Sequence, residues 1–131
     1  MSWDDNGIYI KGYKKKPFYV KDEFYDQSNQ IDLAYWRKYW RLRSDMIDII
    51  YAEYKGNDSE VLLSAKQIKE MRTLIWKITF SKKRYLEACD YYWNYNIYSI
   101  LRGIRQMINL TWAARQVKKN PEVEVIWYDS Y

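Results

Sequence analysis

A chain of 131 residues has room for one hydrophobic core and little beyond it, so the whole of 1–131 is expected to fold as a single domain. Hydrophobic residues at 48% and charged residues at 30% exclude a disordered chain, and a net charge of +5 favours an acidic partner only mildly, because 17 acidic residues are interspersed among the 22 basic ones. The absence of histidine removes the commonest general base and the commonest metal ligand, which disfavours most enzyme classes at once.

In chain order, Ile8-Tyr9-Ile10-Lys11-Gly12-Tyr13 is rich in β-formers, and Phe18-Tyr19-Val20 after Pro17 gives a second short extended piece, with a small hairpin across Lys14-Lys15-Lys16. The polar stretch from Asp22 to Gln30 offers Asp26, Ser28 and Asn29 as caps for a following helix. That helix is expected from about Gln30 to Tyr54, stopped by Gly56 and Asn57. Ile31, Tyr35, Leu42, Met46 and Ile49 fall on one stripe at helical spacing, and Leu33, Trp36, Trp40, Ile47, Tyr51 and Tyr54 fill a second arc beside it. A helix apolar over so wide an arc either lies between two elements or offers one arc to a partner.

Ser64 with Gln67 three residues on reads as a capping box for a second helix, in which Ile68, Met71, Leu74, Ile75 and Ile78 recur to about Phe80. Ser81 to Asp90 has no clear period and reads as a loop or short extended piece. A last helix from about Tyr92 to Lys118 is expected to bury Ile97, Ile100, Leu101, Ile104, Met107, Ile108 and Thr111, turning Arg102, Arg105, Gln106 and Asn109 to water. Asn120-Pro121 ends it, and Glu122 to Tyr128 has the composition of a strand that pairs with the amino-terminal one. The expected class is mainly α, of α+β type: a three-helix core with a small sheet formed by the N- and C-terminal strands.

The chemistry is thin. Cys89 is the single cysteine, so no intramolecular disulfide can form and the chain reads as one from a reducing compartment. Its four glycines scarcely supply a phosphate-binding fingerprint, and no metal or cofactor is expected. Asp45 with Asp48, or Glu87 with Asp90, are spaced to share a helix face as glycosyl-transfer carboxylates do, although such pairs are more often solvated charge. Met1 to Asp5 shows neither a basic start nor an apolar stretch, and no apolar run approaches the roughly 20 residues that span a bilayer, so a cytoplasmic protein without a membrane partner is expected.

What remains is an excess of rings: 15 Tyr, 7 Trp and 3 Phe, more than a core of this size encloses. In Tyr35-Trp36-Arg37-Lys38-Tyr39-Trp40-Arg41-Leu42-Arg43 bulky aromatics alternate with cations, a pattern that suits stacking on bases beside phosphates and equally suits a core helix with a basic solvent side. The candidate partner-binding residues are Trp36, Arg37, Trp40, Arg41 and Arg43 with Lys82, Lys83 and Arg84. Lys14-Lys15-Lys16 and Lys118-Lys119 are further basic clusters, each also readable as a solubilising segment.

Ile8-Tyr9-Ile10-Lys11, Ala34-Tyr35-Trp36-Arg37-Lys38, Ser64 to Gln67, Tyr91-Tyr92-Trp93 and Trp127-Tyr128 occur in the order found in a group of small uncharacterised bacteriophage and prophage proteins, and the chain resembles that group over most of its length. Members begin with a strand reading Met-Tyr-Leu-Tyr-Lys and carry an Ala-Tyr-Trp-Arg-Lys helix. Where they often continue with small residues and a histidine, this chain has Tyr39-Trp40-Arg41, so no role for that histidine carries over. The resemblance implies a phage or mobile-element origin, and with it the host cytoplasm. The leading expectation is a non-enzymatic accessory protein that binds and inhibits or redirects a host protein, anti-defence action included. The alternatives are a nucleic-acid or nucleotide binder using the basic and aromatic faces, and a self-associating structural protein forming homo-oligomers.

Overall fold

A computed structural model of the chain describes residues 4–23, 26–27 and 29–131; the readings made on Met1 to Trp3 and on Ser28 lie outside the described residues. Strand β1 (Asp5–Lys11) is the middle of the sheet, its run of Ile8, Tyr9 and Ile10 suiting a strand paired on both edges. One edge pairs antiparallel with β3 (Gln30–Arg37), which carries the two-residue β2 (Asp26–Gln27). The other pairs with β5 (Glu124–Ser130), which carries β4 (Glu60–Leu62), giving the order β2-β3-β1-β5-β4. The expected pairing of the two terminal strands is therefore present, with Asp5 opposite Ser130 and Lys11 opposite Glu124.

Four helices complete the described residues: α1 (Trp40–Ile49), α2 (Ala65–Thr79), α3 (Lys82–Ala88) and α4 (Ile97–Lys119). The class is α+β with a small antiparallel sheet, and four helices stand where a three-helix core was expected. The capping box at α2 forms, Gln67 N donating to Ser64 Oγ at 3.1 Å and Ser64 N to Gln67 Oε1 at 2.9 Å. Asn96 caps α4, its Oδ1 accepting from the amides of Tyr98 and Ser99.

Residues 30–54 need the largest correction. Gln30 to Arg37, expected as the start of a long helix, is strand, and the helix begins only at Trp40 and ends at Ile49. Ile31, Asp32, Leu33 and Ala34 are all buried and the register with β1 skips Leu33, so the strand lacks the in-and-out alternation that would have marked it. Ala34 to Arg37 is accordingly not the helix the resemblance implied. Asp26 pairs with Ile31 and enters the sheet instead of capping a helix. The Lys14–Lys16 hairpin does not form because both edges of β1 are taken, and Phe18–Tyr19 is a turn closed by Val20 N donating to Pro17 O at 3.2 Å. Within 81–90, expected as loop, Ser81 accepts from the Arg84 amide and opens α3.

The two faces of the sheet differ. On the helix side the cross-strand register lines Ile8 with Ala34 and Trp127, Ile10 with Ile31 and Val125, and Asn6 with Trp36 and Asp129, and all are buried. On the other side Tyr128 lies across Gly7, where an added Cβ would come within 2.6 Å of the Tyr128 hydroxyl and 2.8 Å of the Ala34 carbonyl. Glycine is what lets the ring settle flat on the strand.

Helix α4 is rotated relative to its expected orientation, although Arg105 faces water as expected and Arg102 is half-exposed. It buries Gly103, Gln106, Asn109, Leu110, Trp112, Ala113 and Ala114, and leaves Ile97, Leu101 and Ile108 exposed, with Ile104, Met107 and Thr111 half-buried. Polar groups fix this. Asn109 Nδ2 donates to the carbonyls of Leu33 (2.9 Å) and Lys21 (2.8 Å) while its Oδ1 accepts from the Lys21 amide, and Gln106 Oε1 accepts from Trp36 Nε1 at 3.2 Å. Each satisfied group would cost about 1–3 kcal/mol if left buried without a partner, so the helix rotates to meet them. Gly103 completes the fit: a Cβ there would collide with the side chain of Thr79, so α4 approaches α2 closely at this point.

Candidate functional site

The structure separates the residues expected to form one recognition surface. Trp36 is 2% exposed on the helix side of β3 and is a core residue, because its indole nitrogen is spent on Gln106. Arg43 joins α1 to β5: its Nε and Nη2 donate to Asp129 Oδ2 at 3.0 and 2.7 Å, Tyr54 OH donates to the same oxygen at 3.1 Å, and the Tyr131 ring lies 3.9 Å from the guanidinium. The Asp129 side chain is wholly buried, so Arg43 serves a structural ion pair and is removed from the candidate surface.

Trp40, Arg37 and Arg41 do reach solvent, but beside partners the sequence did not place there. Trp40 meets Tyr92 edge to face at 5.9 Å, Tyr92 meets Trp93 at 4.7 Å, and Trp93 Nε1 donates to the Arg37 carbonyl at 2.6 Å. The turn that presents these rings holds Asp90 and Tyr91 at φ of 49° and 61°, a left-handed pair in residues that rarely adopt it. Lys38 lies about 6 Å from the Trp40 and Tyr92 rings, and its ammonium is paired with Asp4 at 2.6 Å. Arg41 pairs with Glu87 at 3.7 Å. Lys82, Lys83 and Arg84 form the exposed first turn of α3, and Arg84 borders with Arg41 a polar hollow of about 570 Å³ that also holds Asp45, Asp48, Lys77 and Glu87. Burial, then the Asp48 charge, pushes the Asp45 carboxyl up from its ordinary value. Cations and carboxylates are mixed evenly there, which suits neither a dedicated anion site nor a metal centre, and no group of three ligating side chains occurs among the described residues.

A different surface is apolar in character. Along α2, Trp76 and Phe80 stand 57% and 53% exposed on the stripe that also carries Lys66, Lys69 and Thr73. Along the antiparallel α4, Ile97, Leu101, Ile104 and Ile108 form the outward stripe created by the inward turn of Gln106 and Asn109. Between them lies an open groove of about 550 Å³ lined by Trp76, Phe80, Ile104, Met107, Ile108 and Trp112 together with Tyr19 and Arg115. Trp76 packs on Phe80 at 6.0 Å, edge to face. Sequence reasoning assigned the α4 stripe to the core and left Trp76 and Phe80 unremarked. The available signal was a pair of large rings set among Lys66, Lys69 and Thr73 on the otherwise polar side of α2.

No protein-family model, no curated protein and no solved structure matches this chain. Among the described residues no helix is long and apolar enough to cross a membrane.

Proposed function

We propose that this chain is a non-enzymatic protein-binding module whose working surface is the groove between α2 and α4. The observation that carries the reading is the orientation of α4: buried amides at Gln106 and Asn109 hold the helix with isoleucine and leucine facing water. Full burial of a Leu, Ile or Phe side chain is favourable by about 1.5–3 kcal/mol, so a stripe of half-exposed ones stores the driving force for association. Trp76 and Phe80 add the aromatic character common at binding hot spots. Read with the resemblance to small phage proteins, the partner is a host protein met in the host cytoplasm, and occupation of the groove inhibits or redirects it, anti-defence action being one form.

The test is capture of a defined partner from the native host by the wild-type chain and by Trp76→Asp and Ile108→Asp variants that keep the wild-type circular dichroism. Capture is expected to fall at least tenfold in both, and to survive Trp40→Ala. Undiminished capture by both groove variants overturns the reading.

The second reading, nucleic-acid or nucleotide binding, is favoured by the Trp40, Tyr92 and Trp93 cluster beside Arg37 and Lys38. It is the weaker because Lys38 and Arg41 are already neutralised by Asp4 and Glu87. Mobility-shift assays at two ionic strengths separate the two readings, since phosphate contacts must weaken steeply with salt.

A further inference from the structure

The groove does not end in neutral surface. Because α2 and α4 are antiparallel, the amino-terminal end of α2 and the carboxy-terminal end of α4 meet at one end of it, and there Lys66, Lys69 and Lys118 surround a hollow of about 330 Å³ with Glu70 and Thr73. Lys118 is close enough to hold the Lys69 ammonium below the ordinary lysine range. Arg115, a lining residue of the apolar groove, carries the positive charge into it. Among the described residues no ion pair joins any of these four cations to a carboxylate. Three lysines thus share an exposed hollow with the single carboxylate of Glu70, a net positive charge left for something else to neutralise.

From this we infer that the occupant of the groove is an amphipathic helix of a partner protein, with carboxylates at one end and large apolar side chains along the rest. The inference rests on the binding role proposed above and adds the partner's chemistry. From Lys69 to Phe80 is eleven residues, about 17 Å of helix rise, so the matching segment is roughly three turns long. Its apolar side chains at i, i+3, i+4 and i+7 cover Trp76, Phe80, Ile104 and Ile108, the helix-in-groove mode of recognition, while its acidic end lies over Lys69 and Lys118. Carboxylates in the first turn of a helix are also favoured by that helix's own dipole, which sets the occupant's amino-terminal end at the lysines.

The probes are two synthetic helical peptides with the same Leu and Ile face, one bearing three Glu in its first turn and the other three Lys at the same positions. Binding is followed by tryptophan fluorescence on the full chain, with Lys69→Glu, Lys118→Glu, their double variant and Trp76→Asp. The three substituted positions are all exposed helix positions. The acidic peptide is expected to bind at least tenfold more tightly than the basic one at low salt, with the margin shrinking as salt rises. The double charge reversal should invert the preference, and Trp76→Asp should abolish binding of both. Equal binding of the two peptides, still lost in Trp76→Asp, overturns the acidic occupant and leaves the groove reading intact. Binding of neither peptide overturns the inference as well. A dimer in sedimentation that Trp76→Asp dissociates would then give the face to a second copy, and uptake by anionic phosphatidylserine vesicles would give it to a lipid surface.

Discussion

The Asn109 side-chain amide donates to the carbonyl of Leu33 at 2.9 Å, and Leu33 is the residue that the register of β3 with β1 skips between Asp32 and Ala34. A bulge leaves its extra residue unpaired by the neighbouring strand, and a helix side chain seventy-six positions away supplies the missing donor. This contact, with the paired contacts of Asn109 to Lys21, decides which side of α4 faces the sheet and therefore which side faces water.

Asn109→Leu should therefore destabilise the fold by about 3 kcal/mol, since it orphans the Leu33 carbonyl and both backbone groups of Lys21 while adding bulk to a fully buried site. Arg105→Ala, one turn away on the exposed side, should cost less than about 0.5 kcal/mol. Urea denaturation of the two variants measures the difference, and equal losses would deny Asn109 its orienting role.

How much of this was legible in the sequence differs by element. The Ser64 and Gln67 capping box and the pairing of the terminal strands rest on local chemistry, and both were readable. Strand β3 was not, because burial on both faces removed the period-two signal and left Ile31, Tyr35 and Leu42 accidentally in helical step with Met46. The helix face of α4 was misassigned for a further reason: periodicity shows that one side is apolar but not which side is buried. Here the deciding partners of Gln106 and Asn109 are Trp36, Leu33 and Lys21, all at least seventy residues distant. Of the candidate surface, Arg37, Trp40, Arg41, Lys82, Lys83 and Arg84 are exposed, while Trp36 and Arg43 were claimed by the core and by Asp129.

The clamp at Arg43 gives a second prediction. Arg43→Met leaves the Asp129 carboxylate wholly buried with Tyr54 as its remaining donor, a loss of about 3 kcal/mol at neutral pH. Asp129→Asn, which removes the charge but keeps an acceptor, should cost about half as much. Thermal melts of the two variants, read together, check that the penalty comes from an unpaired charge and not from lost packing.

Close approach of α2 and α4 at Gly103 gives a third. Gly103→Ala sets a methyl group into Thr79 and should cost about 1–3 kcal/mol through overpacking. Combining it with Thr79→Ala removes the obstructing atoms and should recover most of the loss, a coupling that a double-mutant cycle reads directly.

Alkaline pH supplies a fourth. Burial, reinforced by the 2.8 Å hydrogen bond from its hydroxyl to Asp5, pushes Tyr35 up from 10.0 to about 12. Burial likewise raises Tyr39, Tyr85, Tyr128 and Tyr131. As pH rises through 10.0 the unfolded chain releases these phenolic protons while the folded chain retains them, so stability begins to fall as that point is approached and keeps falling toward 12. Urea midpoints at about pH 7, 9 and 11 should show almost no tyrosine-linked loss over the first interval and a steep loss over the second, which Tyr35→Phe should lessen.

Site-specific photocrosslinking tests the central claim most directly. A benzophenone amino acid placed at position 76, 108 or 40 is illuminated in the native host, and adducts are resolved by mass. The groove between α2 and α4 predicts one discrete protein adduct from positions 76 and 108 and none from position 40. A discrete adduct from position 40 with none from 76 or 108 would contradict it.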